Sequence, residues 1–171
     1  MTDPASLDGL RGAATPGPIR GCVDLHAHTT ASDGTATPAA FVAAAVEAGL
    51  SAVAVTDHDT LGAVGEVSRL AAPHGLDVIA GVELSLHDDE GRELHVLGLH
   101  LANPDLVQDA LVSVREARRA RAEMIVEKLN TLGLAVSMEA VLAEADGGAV
   151  GRPHIARALI KAGHATAHQQ V

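Results

Sequence analysis

Residues 22–34 read Cys-Val-Asp-Leu-His-Ala-His-Thr-Thr-Ala-Ser-Asp-Gly, and the fold turns on this stretch. A short apolar run, Cys22 to Leu25, ends in His26 and His28. Alternate residues of an extended strand point to the same side. A strand continuing to His28 therefore aims both imidazoles at one point. Asp33 follows, and Gly34 after it can turn the chain back toward that point. Two imidazoles and a carboxylate meeting at a strand end suit a hard-to-borderline divalent metal. The plainer alternative is a strand with two incidental histidines and an Asp that caps the next helix. The later histidines repeat the placement, which argues against it.

Outward from this stretch, strand and helix signals alternate. Thr37-Pro38 predicts a helix start, with Thr as N-cap and Pro at the first helical position, and Gly49 closes a helix over 39–48. Leu50 to Thr56 is almost wholly apolar, as in a buried parallel strand, and runs into Asp57-His58-Asp59. A second helix is expected over 60–72, stopped by Pro73-His74-Gly75. Leu76 to Leu86 is a third strand and carries Glu83. The polar turn at 87–91 predicts a hairpin return over 93–101 that carries His95. Asn103-Pro104 opens a long helix to about Leu132, whose Arg115, Arg118, Arg119 and Arg121 read as a solvated face. Ser137 caps a shorter helix to Ala145. Gly147-Gly148 then leads to Gly151-Arg152-Pro153-His154 and a last helix from about Ile155 to Ala162. Residues 1–20, rich in Gly, Pro, Ala and Thr, read as a disordered leader, 21–171 as one folded domain, with a frayed tail from Gly163.

Strands alternating with helices predict parallel βα units, an α/β class. Such units put functional residues at the carboxyl ends of strands. His26 and His28 end the first strand, His58 ends the second, and Glu83 lies near the end of the third. With Asp33 and His95, the candidates are His26, His28, Asp33, His58, Glu83 and His95. One catalytic metal takes about three protein ligands and keeps a position open, so six candidates suggest at least two ions. Glu83 is the candidate bridge, because a carboxylate offers two oxygens where a neutral imidazole has one lone pair. Ions about 3.5–4 Å apart acidify water and neutralise a phosphoryl oxygen, which phosphoester hydrolysis needs most. Arg152 and His154, in a turn before a helix, are candidates to hold the substrate phosphate by an Arg fork and amide donors.

Other polar residues take plainer roles. His74 sits at a helix end, His87 in the hairpin turn, and His164 and His168 in the tail. His100 should face away from His95 because their spacing is odd. Asp57, Asp59 and Asp24 are candidates to orient a ligand histidine. Cys22 reads as a small buried residue of the first strand.

Composition sets limits. The chain has 171 residues, is 47% apolar, and contains one Phe and no Trp or Tyr, so its core must be Ala, Val, Leu and Ile. A net charge of −10 argues against a surface that coats duplex nucleic acid. A phosphorylated small substrate is compatible with it, since bound metal inverts the local field. One cysteine excludes an intrachain disulfide and a zinc–thiolate cage. No run approaches the roughly 18 apolar residues of a membrane span. The first 20 residues lack an apolar signal core, so a cytoplasmic location is expected.

Asp-Leu-His-Ala-His-Thr-Thr-Ala-Ser-Asp-Gly (24–34), Val-Thr-Asp-His-Asp-Thr (55–60), Ile-Ala-Gly-Val-Glu-Leu-Ser (79–85), His-Val-Leu-Gly-Leu (95–99) and Gly-Arg-Pro-His-Ile-Ala-Arg-Ala-Leu (151–159) resemble the PHP (polymerase and histidinol phosphatase) superfamily. The resemblance covers about residues 22–163 and is nearest to stand-alone phosphoesterases acting on nucleoside 3′,5′-bisphosphates and short oligonucleotides. It implies a distorted seven-stranded (β/α)7 barrel and a centre of two or three divalent ions, manganese first, with zinc, iron or magnesium in other members. It implies metal ligation by His26, His28, Asp33, His58, Glu83 and His95, a catalytic part for Glu83 and His154, and substrate phosphate beside Arg152 and His154. It also implies a later histidine and a terminal Asp-x-His that are absent here, so 21–171 is expected to be the N-terminal half of the barrel. The alternative is an incomplete remnant that binds metal or a partner without turnover. An amidohydrolase would place a lysine at a mid-barrel strand end, and Lys128 and Lys161 both fall on helices. A polymerase-linked proofreading nuclease shares the first motifs, but no polymerase segment is present.

Overall fold

The computed structural model describes residues 21–166. The leader expected over 1–20, and 167–171 with His168, lie outside the described residues. The elements run β1 (Cys22–Ala27), α1 (Pro38–Glu47), β2 (Leu50–Val55), α2 (Val64–Ala71), β3 (Asp77–His87), β4 (Glu93–Leu99), α3 (Pro104–Thr131), α4 (Met138–Ala145) and α5 (Arg152–Lys161). The four strands form one sheet in the order β1-β2-β3-β4. β1 to β3 are parallel, and β4 returns antiparallel along β3. This is the expected α/β class. Of the seven strands the resemblance implies, the described residues form four.

Local chemistry sets the element ends. Thr37 caps α1 by accepting from the Ala40 amide, with Pro38 opening the helix. Ser137 does the same for α4 through the Ala140 amide. β3 serves two partners in succession. Asp77–Ala80 pair with β2, and Gly81–His87 with β4. Gly81 sits at the changeover, where a Cβ would lie 3.0 Å from the Gly98 carbonyl and from side-chain carbons of Leu99 and Thr56.

The sheet buries its middle. Val53 and Val55 of β2 pack with Phe41, Val42 and Ala45 of α1 and Val67 and Ala71 of α2. Each such valine contributes about 1.5–3 kcal/mol by leaving water. A second cluster joins α3, α4 and α5 through Val126, Val141, Ile155 and Leu159. Leu61, Val82 and Leu111 connect α3 to the sheet. The long helix therefore bridges the sheet and the last two helices, over the carboxyl ends of the strands.

Several expectations are corrected. Cys22 is exposed, as are Val23 and Leu25, because β1 is an edge strand. α2 starts at Val64 rather than near Thr60, because the Thr60 hydroxyl accepts from the Gly62 amide and holds a turn ahead of the helix. β4 ends at Leu99, and exposed His100 turns away at φ 55°. α5 begins at Arg152, three residues early, so Arg152 lies in its first turn. The arginines of α3 are not a uniformly solvated face: Arg118 points inward with 17% of its side chain exposed. Among the described residues, no helix is long and apolar enough to cross a membrane.

Candidate metal centre

The end of β1 supplies His26 and His28, and the following loop brings Asp33 back over them. Gly34 permits that return. A Cβ there would lie 2.5 Å from the His28 carbonyl oxygen and 2.8 Å from that of Thr29. The loop is clamped from below by Asp57, which is fully buried. Its Oδ1 accepts from the Thr29 amide and the Ser32 hydroxyl, both at 2.7 Å, and its Oδ2 from the Thr29 hydroxyl at 2.8 Å.

Past β2, Asp57 and His58 point to opposite sides, and Asp59 then turns the chain with a left-handed backbone. His58 faces the centre, and a parallel bridge ties it to Glu83. Glu83 points inward from β3 and is 5% exposed. His95 pairs in register with Ser85, two residues from Glu83, so it shares Glu83's face of the hairpin.

All six expected ligands meet. Glu83 Oε2 lies 2.7 Å from His26 Nε2, 2.9 Å from His28 Nε2 and 3.8 Å from His58 Nε2. Glu83 Oε1 lies 2.7 Å from His95 Nδ1. Asp33 stands 3.6 Å from His28 Nδ1 and 3.5 Å from His58 Nε2. Among the described residues, three overlapping groups have donor atoms within 4.8 Å of one another: His26–His28–Glu83, His28–Asp33–His58 and His58–Glu83–His95. Ligands of one shared cation stand about 3–4 Å apart, which is the separation of Asp33 from His28 and His58. The donor set fits a hard-to-borderline divalent cation, with imidazole nitrogens and carboxylate oxygens converging and His58 turning its Nε2 toward Asp33 and Glu83.

Burial would raise the Glu83 carboxyl, but the His26 and His95 rings outweigh it and hold it below the ordinary carboxylate value. Burial pushes the His58 imidazole down, helped by the Arg118 charge and opposed by Asp33. Both shifts favour the lone-pair-bearing forms that ligate metal.

Beside these six side chains lies a cleft of about 190 Å³, lined by Asp33, His58 and His95 and by Arg118, Arg121 and Arg152. Glu93 holds two of those arginines, Arg152 at 2.7 Å and Arg121 at 3.3 Å. Their charges outweigh burial and keep the Glu93 carboxyl low. Arg152 thus lines the cleft from the first turn of α5. His154 is placed differently from the expectation of a catalytic, substrate-touching residue. It is 1% exposed, its Nδ1 accepts from the Gly151 amide at 2.9 Å, and its ring also bonds the Ser32 backbone. Its contacts tie the start of α5 to the Asp33 loop.

Neither Asp57 nor Asp59 touches the His58 ring. Asp24 accepts from the His26 amide, not from its ring. Glu93, Arg118 and Arg121 were invisible as site residues in the sequence. The only hint was four arginines in one helix, and helical spacing does not say which of them meets a neighbour.

The PHP domain family matches residues 24–166. The 5′-3′ exoribonuclease Rnm of Salmonella typhimurium is 42% identical over 83% of this chain and 49% of its own length. The 3′,5′-nucleoside bisphosphate phosphatase of Chromobacterium violaceum is 34% identical over 82% of this chain and 50% of its own. A solved structure from Bifidobacterium adolescentis, whose description as a metal-dependent phosphoesterase is provisional, superposes with a TM-score of 0.77 at 34% identity, over 90% of this chain and 54% of the other. The chain spans about half the length of the curated relatives it matches.

Proposed function

This chain belongs to the PHP domain family, and from that premise we propose that it hydrolyses phosphate esters with the help of divalent ions held by His26, His28, Asp33, His58, Glu83 and His95. The observation that carries the proposal is the convergence of these side chains on Glu83, with the arginine-lined cleft beside them. Two or three ions are proposed, because the three ligand groups share members, and manganese is the first candidate. Divalent ions there supply Lewis-acid chemistry: they acidify water at neutral pH and neutralise charge on a phosphoryl oxygen.

The chain's own residues do the rest. Glu83 offers its two oxygens to opposite sides of the cluster, toward His26 and His95. Arg152 and Arg121 offer fork-shaped donors to a phosphate entering the cleft, in exchange for Glu93. His154 fixes the Gly151–Arg152 turn from beneath, and substrate contact by its Nδ1 would require breaking the bond to the Gly151 amide.

The proposed substrates are small phosphorylated molecules, nucleoside 3′,5′-bisphosphates or short oligonucleotides. The names of the relatives and the pairing of a cation cluster with separate arginines support this class. The chain's acidity disfavours duplex binding. A cytoplasmic location belongs to the same reading.

The test is phosphate release from a nucleoside 3′,5′-bisphosphate with manganese, on this chain and on one extended to the length of its relatives. Release that disappears with chelator supports the proposal. An extended protein that holds manganese and releases no phosphate would leave the non-catalytic, metal-binding alternative.

A further inference from the structure

Arg118 is the one arginine of α3 that faces inward to three separate segments. Its Nε donates to Asp59 Oδ2, its Nη2 to the Ser85 hydroxyl, and its Nη1 to the Val150 carbonyl at 3.3 Å. Each partner adjoins a functional residue. Asp59 follows His58, Ser85 shares a strand face with Glu83, and Val150 precedes the Gly151–Arg152 turn.

Asp59 shows how fully the junction is determined. It is completely buried with a left-handed backbone. Its Oδ1 accepts from the Ser85 amide at 2.9 Å, its amide donates to the Glu83 carbonyl at 3.1 Å, and its own carbonyl accepts from Arg115 at 3.2 Å. A non-glycine residue at positive φ persists only where its surroundings over-determine it. A buried carboxylate persists only where it is paired. Arg118 supplies that pairing, and it lines the cleft as well.

We propose that Arg118 is a positioning residue, whose one guanidinium sets the spacing of the metal-ligand ends of β2 and β3 and of the turn carrying Arg152. This rests on the metal-dependent reading above. A planar, always-charged fork can hold three acceptors from three directions, and a lysine ammonium cannot reproduce its geometry. The guanidinium therefore acts on the site through Asp59, Ser85 and Val150.

Arg118→Met, Arg118→Lys, Ser85→Ala and the surface control Arg119→Ala are compared with the unmodified chain by manganese titration calorimetry and by amide hydrogen exchange over 147–154. The expected result is a manganese affinity about 10- to 100-fold weaker in Arg118→Met, with partial rescue in Arg118→Lys and faster exchange in the 147–154 turn. Arg119→Ala should match the unmodified chain. A folded Arg118→Met with unchanged manganese affinity and unchanged exchange overturns the inference. If Arg118→Met does not fold, Ser85→Ala decides. It removes one acceptor and leaves the Asp59 pair, so a weakened affinity supports the inference and an unchanged one overturns it. An unmodified chain that binds no manganese or zinc sinks the metal-dependent reading itself, and this inference with it.

Discussion

Glu83 and His95 meet across the β3–β4 hairpin, Oε1 to Nδ1 at 2.7 Å, while the other Glu83 oxygen faces the histidines of β1. A single side chain thus joins histidines from the two outer strands of the sheet. Glu83→Gln keeps the shape and removes the charge. Manganese binding, followed by calorimetry, should weaken by about 100-fold or more, with the far-ultraviolet circular dichroism unchanged. A variant that binds manganese as tightly as the unmodified chain would contradict Glu83's place at the centre.

The loop carrying Asp33 is held by Asp57, which accepts three hydrogen bonds with no exposure to water. Removing a buried acceptor leaves its donors unsatisfied. Asp57→Ala should cost about 3–5 kcal/mol in urea unfolding. Asp24→Ala, at an exposed position bonded to the His26 amide, should stay within about 0.5 kcal/mol. Equal losses in the two variants would refute the clamp.

Two glycines should respond oppositely to alanine. At Gly34 the added carbon meets the His28 carbonyl at 2.5 Å, and backbone cannot swing aside. Gly34→Ala should lower stability by about 2 kcal/mol or more and shift the Asp33 loop. At Gly65, inside α2, a Cβ meets nothing within 4 Å. Gly65→Ala should raise stability by about 0.5–1 kcal/mol, since alanine gives up less backbone entropy in a helix. Thermal melts of both variants check the pair.

His154 predicts a pH dependence. Burial depresses its imidazole first, then the Arg157 charge, against the opposing bond to the Ser32 backbone and the charge of Asp33. Its Nδ1 also serves as an acceptor and loses that role once protonated. The folded chain therefore refuses a proton that the unfolded chain accepts near pH 6.5. Stability is intact above that pH and falls as pH drops below it, until the depressed folded value is reached. His154→Asn keeps an acceptor for Gly151 and does not titrate. Urea unfolding between pH 7.5 and 5.5 should show a smaller loss in this variant, and an identical loss would rule out His154 as a contributor.

The sequence by itself determined the order of elements and the ligand types that each βα unit carries. Strand alternation placed His26 with His28, and the apolar run before Asp57-His58-Asp59 placed His58 at a strand end. These are local rules, in which the period of the backbone decides the face a side chain occupies. Only the tertiary structure decided what stands opposite each face. It turned Arg118 inward to Asp59 and Ser85, sank His154 under the Gly151 turn, set Glu93 between Arg121 and Arg152, and left Cys22 exposed on an edge strand. The arginine contacts among these join residues 28 to 59 apart in the chain, and no period in a single helix or strand encodes a contact at that distance.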